Sequence, residues 1–464
     1  MQNSRRRFIK KAFGGAMAAA VPASFLGASG KTATFELIQP KGKTKFSAND
    51  HIQIAGIGIG IMGMQHCRTL ETIAGAKLVA VCDLYDGHLK RAQQLYGKDL
   101  FTTRNYKEIL ERDDIDAVFV GTSDHWHDHI TIEALNKGKA VYCEKPMVHK
   151  IEEGKAMIEA EKSSGKVLQV GSQRVSSILY HKAKELYESG IIGKLIMAEA
   201  VNDRHSALGA WQYSIPTDAS PDTVDWERFI GDAPKRAFDK VRFFRWRNYR
   251  DYGTGVAGDL FVHLFSGMHV VLSSHGPERI YTTGGLRYWK DGRDVPDVIL
   301  GCFDYPQTKS HPAFNLQLRV NFVDGGGGGS VFRLIGTDGT IDIGWGGLKV
   351  TRNEIADAPG YGGWDTFGTF TEAQQEAYKE WYAKQYPKGK PQIIEPEVLE
   401  YRTPEGYSDN WAHWTNFVEA VRDNKKVIED GAFGLRAAAP SLAANMSYFD
   451  KKIINWNPEK MELE

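Results

Sequence analysis

Short apolar runs alternate with longer amphipathic stretches between residues 52 and 171, and this alternation defines the first part of the chain. Ile52–Ile57, Lys77–Cys82, Asp116–Gly121, Lys139–Cys143 and Lys166–Gly171 read as strands. The stretches from Met64 to about Ile73, 127–137 and 150–164 read as helices. Apolar strands separated by helices predict a parallel sheet covered on both faces, with ligands outside the C-terminal strand ends. Beyond about residue 175 the pattern changes. Leu195–Val201, Arg279–Trp289, Val298–Tyr305, Phe314–Phe322 and Ser330–Ile343 follow with few helices between them, which predicts a large open, mostly antiparallel sheet in an α+β domain. Asp324-Gly325 opens a run of five glycines that reads as a hairpin-like break. Trp414, Phe417, Val418 and Val421 have the i, i+3, i+4, i+7 spacing of a buried helix face. A second helical stretch at 431–449 contains Pro440, where a kink or break is expected.

Composition narrows the partners. A chain of 464 residues exceeds what one core fills, so two folded domains are expected. Lys+Arg and Asp+Glu are both 58, so no net field recruits nucleic acid or an anionic membrane. Cys67, Cys82, Cys143 and Cys302 form no C-x-x-C pair and read as small core residues. Ser4-Arg5-Arg6-Arg7-Phe8-Ile9-Lys10 precedes a mild Ala/Gly-rich apolar stretch, the layout of a twin-arginine export signal over residues 1–30. That stretch is too short for a stable membrane span. Residues 31–48 are polar and read as a linker or arm. The predicted location is the periplasm, where no free nucleotide pool exists, so any dinucleotide must be held tightly.

The first strand ends in Gly58-Ile59-Gly60-Ile61-Met62-Gly63, a G-x-G-x-x-G between strand and helix. Gly58 permits the tight turn, Gly60 lets a pyrophosphate approach the backbone, and Gly63 lets the helix pack on the strand. The next strand ends at Asp83, twenty residues past Gly63, where a carboxylate holds adenosine ribose hydroxyls. No arginine adjoins Asp83 to take a 2′-phosphate, so NAD is favoured over NADP. Residues 49–172 are thus a Rossmann domain. Its later strand ends bring Thr122, Ser123, Trp126, His127, Glu144, Lys145 and Gln173 toward the cofactor beside Gly58, Gly60, Ile61, Met62, Gly63 and Asp83. Asp124, His125, His127, Asp128 and His129 tempt a metal reading, but spacing around a strand-to-helix turn does not converge them, and no metal is expected.

On the Gly63-Met64-Gln65-His66 loop end, D-H-W-H at 124–127, Y-C-E-K-P at 142–146, V-G-S-Q-R at 170–174, G-I-I-G-K at 190–194 and G-D-L-F-V-H at 258–263, the chain resembles the glucose–fructose oxidoreductase, inositol dehydrogenase and rhizopine-catabolism family. The resemblance runs from about residue 50 to about 455. It implies NAD(P)-dependent chemistry on sugars or cyclitols, with Lys145 as active-site lysine and Asp259 and His263 as its D-x-x-x-H pair. It also implies a homo-oligomer formed through the open sheet. Ser266 stands where many members carry aspartate, Ser123 where proline is common, and 352–405 is an insertion. The second domain then spans 173–455, with helices 410–449 packing back. A helix places Asp259 and His263 on one face, His263 starts near the pKa of a general base, and Lys145 hydrogen-bonds the reacting oxygen. Arg174, Trp246 and Tyr249 complete the expected sugar site. The leading expectation is a sugar, glycoside or cyclitol oxidoreductase. The alternatives are a redox-neutral NAD-dependent glycosidase and a non-catalytic NAD-holding protein.

Overall fold

The computed structural model describes residues 51–356, 358–389 and 396–464, together with the backbone of 34–37. The expected export signal lies outside the described residues. Part of the expected linker instead forms a strand, β1 (Thr34–Leu37).

The first domain is a six-stranded sheet of β2 (Ile52–Ile57), β3 (Ala76–Cys82), β4 (Phe101–Thr103), β5 (Ala117–Val120), β6 (Ala140–Cys143) and β7 (Leu168–Val170). Every pairing is parallel, and the order is β4-β3-β2-β5-β6-β7. β5 and β6 are buried along their whole length, as continuous apolar runs inside a two-sided sheet must be. Connections leave β2 and β5 in opposite directions, so a crevice opens between their C-terminal ends.

The second domain is an eleven-stranded sheet in the order β1-β15-β14-β13-β12-β8-β11-β10-β9-β16-β17. Its strands are β8 (Leu195–Asp203), β9 (Arg279–Gly285), β10 (Val298–Tyr305), β11 (Phe314–Asn321), β12 (Gly329–Gly336), β13 (Gly339–Ile343), β14 (Gly347–Arg352), β15 (Glu397–Arg402), β16 (Ile454–Asn457) and β17 (Glu462–Leu463). Only β1/β15 and β8/β11 pair in parallel. The Ser330–Ile343 run is two strands, because Thr337-Asp338 turns the chain back on itself. The glycine run makes no hairpin between neighbours. β8 lies between β11 and β12, so those glycines carry the chain across it. The 352–405 insertion leaves from β14, forms the helix Glu372–Gln385 and returns as β15 antiparallel to β14.

β11 alternates buried and exposed residues, so one face of this sheet packs inward and the other faces solvent. The helix Gly431–Asp450 packs on β9 and on Val262–Leu272. Pro440 does not break it. The helix is N-capped by Asp430 and buried along much of its length, and that packing offsets the missing hydrogen bond. The helix Asp409–Asp423 returns to the first domain, where Trp414 stacks on Tyr142 at 4.2 Å. Cys67, Cys82 and Cys143 are core residues as expected, whereas Cys302 is exposed, on the outward-facing side of β10.

Candidate active site and dinucleotide cleft

The glycine loop has the shape its sequence requires. Gly58 has φ +83°, and a side chain there would meet the Thr122 backbone nitrogen at 2.6 Å. A Cβ on Gly63 would collide with the Gly58 carbonyl oxygen, so only glycine lets this helix approach its strand. Gly60 faces open space. The helix Ile61–Leu70 starts without a side-chain cap or an acidic residue in its first turn, which leaves its N–H groups and positive dipole end to an anion. Asp83 accepts hydrogen bonds from Ile59 N (2.9 Å), Tyr85 N (2.9 Å) and His88 Nδ1 (3.1 Å). Burial alone would raise its pKa, but His88 and these backbone donors hold it below the ordinary carboxylate value.

These residues line a cleft of about 1010 Å³. Gly58, Gly60, Ile61, Asp83, Thr122, Ser123 and Trp126 form its Rossmann wall. Tyr213–Thr217 with Phe243, Phe244, Trp246 and Arg247 of the second domain form the opposite wall. The two walls are tied at the Asp83 end: Tyr85 Oη donates to Asp218 at 2.5 Å, and Asp225 N donates to the Leu84 carbonyl at 2.8 Å. The cleft therefore fits a dinucleotide, with a glycine cradle for the pyrophosphate and a carboxylate for the ribose. The arginines near Asp83 are already engaged, Arg104 with Asp86 (2.8 Å) and Arg228 with Asp225 (2.8 Å), which favours NAD over its 2′-phosphate.

At the other end, Lys145 Nζ donates to Asp259 Oδ1 at 2.9 Å and to the Asp259 carbonyl at 3.0 Å. Arg247 Nε reaches the same Oδ1 at 3.3 Å. Asp259 sits in one π-helical turn, Ala257–Phe261, that runs into the α-helix Val262–Leu272 carrying His263. Burial would raise the Asp259 pKa, but Lys145 and Arg247 hold its carboxyl far below the ordinary range. His263 is held well below the usual imidazole value, by burial first and then by the charges of Lys145 and Arg174. It is therefore a neutral imidazole. Asp259 makes no hydrogen bond to His263, so the expected orienting role falls on its contacts with Lys145 and Arg247 instead.

Residues 52–172 match the family model described as "Oxidoreductase family, NAD-binding Rossmann fold". The match is confined to the Rossmann segment. The inositol 2-dehydrogenase of Salmonella paratyphi B is 33% identical over 163 residues, covering 34% of this chain and 48% of that protein. The NAD(+)-dependent scyllo-inositol 2-dehydrogenase of Bacillus subtilis is 36% identical over 146 residues, covering 31% of this chain and 42% of that protein. The chain thus spans about half the length of the curated relatives it matches. A solved levoglucosan dehydrogenase, in complex with NADH and levoglucosan, superposes with a TM-score of 0.60 at 18% identity, covering 87% of this chain and 99% of its own. That likeness shows a shared two-domain fold that extends beyond the matched segment.

Within this fold, several expected cofactor residues stand behind the cleft wall. His127 is buried, its Nδ1 donating to the Pro146 carbonyl at 2.8 Å and its Nε2 facing the Thr122 carbonyl at 3.3 Å. It ties the D-H-W-H turn to the Lys145 strand end. Glu144 accepts from His66 Nε2 at 2.8 Å, and Trp414 Nε1 donates to the other ring nitrogen at 2.9 Å. Glu144 thus anchors Lys145 from below. Met62 and Gln173 do not line the cleft either, nor do Lys145, Arg174, Asp259 and His263; Arg247, which does, reaches Asp259 behind the wall. Ser266, in the position of the resembling family's aspartate, donates to Glu429 at 3.0 Å, so a carboxyl from a distant segment reaches this place.

Trp246 lines the cleft, but Tyr249 does not belong to the site. It packs in an aromatic cluster with Trp226, Phe229 and Tyr252, and Arg242 stacks on it at 4.1 Å. The residue of that segment that reaches the site is Arg247. Tyr213, on the same wall of the cleft, was also missed by sequence reasoning. The aromatic and arginine cluster at 242–252 contains Arg247.

Proposed function

We propose that the protein is an NAD-dependent oxidoreductase acting on a hydroxyl of a sugar, glycoside or cyclitol. The observation that carries this reading is the Lys145–Asp259 pair at 2.9 Å, joined through Arg247 to the wall of the dinucleotide cleft, with neutral His263 one helical turn on. Gly58, Gly60 and the Ile61–Leu70 N-terminus would hold the pyrophosphate, and Asp83 the adenosine ribose. Bound NAD supplies the acceptor for the hydride that leaves the carbinol carbon. Lys145 hydrogen-bonds the reacting oxygen and His263 takes its proton, while Asp259 fixes the ammonium of Lys145. The wall tied across at Tyr85, Leu84, Asp218 and Asp225 favours a resident cofactor. A resident cofactor suits export by the twin-arginine route that residues 4–10 suggest. The solvent-facing side of the open sheet is the surface we assign to homo-oligomer formation.

The full chain, incubated with sugars, cyclitols and nitrophenyl glycosides, tests this reading by the absorbance of reduced nicotinamide and of released nitrophenol. Stable reduction by a sugar or cyclitol is expected. Release of nitrophenol without reduction would replace the reading with glycoside cleavage.

A further inference from the structure

The second-domain wall of the cleft meets the Rossmann wall at the adenosine end, and it does so with aromatic rings. The short helix Lys240–Phe244 is held at both ends. Asp239 caps its start, accepting from Val241 N at 2.8 Å and from Arg242 N at 3.2 Å. Near its other end Phe243 is buried, with its ring 4.9 Å from that of Phe229. Phe244 packs 4.8 Å from Phe243, is only partly buried, and lines the cleft. Phe243 anchors the turn and Phe244 is presented by it.

The ring of Phe244 stands beside the carboxylate that fits the ribose. It lies edge to face with Tyr85 at 5.2 Å and with His88 at 6.3 Å, and those two lie 5.0 Å apart. His88 Nδ1 in turn hydrogen-bonds Asp83 Oδ1 at 3.1 Å. Three rings and the carboxylate therefore form one connected structure. Tyr85 is buried and its hydroxyl is spent on Asp218, so the rings of this group that line the cleft are Phe244 and His88. Backbone contacts keep the two walls together here: Asp86 N donates to the Thr223 carbonyl at 3.0 Å, and Arg104 Nη2 to the Asp222 carbonyl at 3.0 Å. The adenine is bonded to the ribose that Asp83 would hold, which puts it within reach of rings tied to Asp83. A purine covers apolar ring surface with its flat face, and such stacking adds affinity without a hydrogen bond.

We propose that Phe244 is an adenine-binding residue, so that the second domain closes over the adenosine half of the dinucleotide, with His88 completing the aromatic surface. This rests on the NAD-dependent reading and deepens it: both domains grip the cofactor, and the cofactor leaves only when they part at this end.

The test loads the full chain with NADH and follows nicotinamide fluorescence while AMP or nicotinamide mononucleotide competes. Only AMP carries the adenine. In Phe244→Ala, NADH leaves faster and AMP competes about tenfold less well, within the range for losing one stacked base, while nicotinamide mononucleotide competes as in wild type. Phe244→Leu keeps the bulk of the side chain, serves if the alanine variant does not fold, and shows the same split. Phe244→Tyr keeps wild-type competition by both. Equal weakening of the two competitors, AMP competition unchanged in the Ala and Leu variants, or no AMP competition in wild type overturns the proposal. AMP competition that depends on Phe244, without nicotinamide reduction by any sugar or cyclitol, leaves the proposal standing and sinks the oxidoreductase reading instead.

Discussion

The two ends of the cleft treat charge in opposite ways. At the adenosine end every charged group facing the ligand already has a partner: Asp83 with His88, Arg104 with Asp86, Arg228 with Asp225. At the reaction end two cations, Lys145 and Arg247, share the one carboxylate of Asp259. A settled end is built for one fixed ligand. An unsettled end acquires its balance only when substrate arrives, and that is where binding energy can be directed at chemistry.

The sharpest way to break this contrast is at Lys145. Lys145→Met removes the ammonium that meets the reacting oxygen, and turnover should fall about 1000-fold, within the range for positioned acid–base groups. Dinucleotide content should stay at the wild-type level, because the glycine loop and Asp83 lie at the other end. A variant that loses its NAD would show that the two ends are one site. Asp83→Ala works from the opposite side. NAD affinity should drop about tenfold or more with the loss of ribose hydrogen bonds, while the sugar affinity of NAD-saturated protein stays put. Dinucleotide titration followed by sugar titration separates the two effects.

A buried acid beneath the reaction end gives a pH-dependent prediction. Burial first, then repulsion from Asp430 and Glu144, holds the Glu429 carboxyl well above its usual 4.5, against the hydroxyls of Ser172 and Ser266. Unfolding releases a proton once the pH exceeds the ordinary carboxylate range, so folding stability falls as pH rises, by up to about 1.4 kcal/mol per pH unit. Glu429→Gln keeps the Ser266 contact and abolishes that slope. Denaturant melts at several pH values read it directly, and parallel slopes in both proteins would mean that Glu429 is ionised when folded. The smallest effect belongs to Arg104→Ala. Its guanidinium is engaged by Asp86 and the Asp222 carbonyl, so NAD affinity should move less than about twofold, as for exposed pairs. A larger loss would place Arg104 on the ligand.

The same contrast explains what the sequence could reveal. The adenosine end is written locally, with Gly58, Gly60, Gly63 and Asp83 within a strand, a helix and a strand. The parallel sheet was legible for the same reason: its strands are buried on both faces and stand out as apolar runs. Lys145, Asp259 and His263 were legible through resemblance, and the chain folds them together across 114 residues. The rest of the reaction end was not. Arg247 comes from a run rich in arginine and aromatic residues, and only packing shows that it reaches Asp259 while Tyr249 turns into an aromatic cluster. Pro440 misled because tertiary burial outweighed a local rule. The glycine run misled because strand order, unlike strand existence, depends on which distant partner inserts between neighbours.

The account stands or falls on a nucleotide resting against the Gly58–Gly63 turn. Protein produced in its native host, gel-filtered and then denatured, should release NAD at about one molecule per chain, with little NADP. Release of no dinucleotide, followed by failure to take up NAD at millimolar concentration, would contradict it.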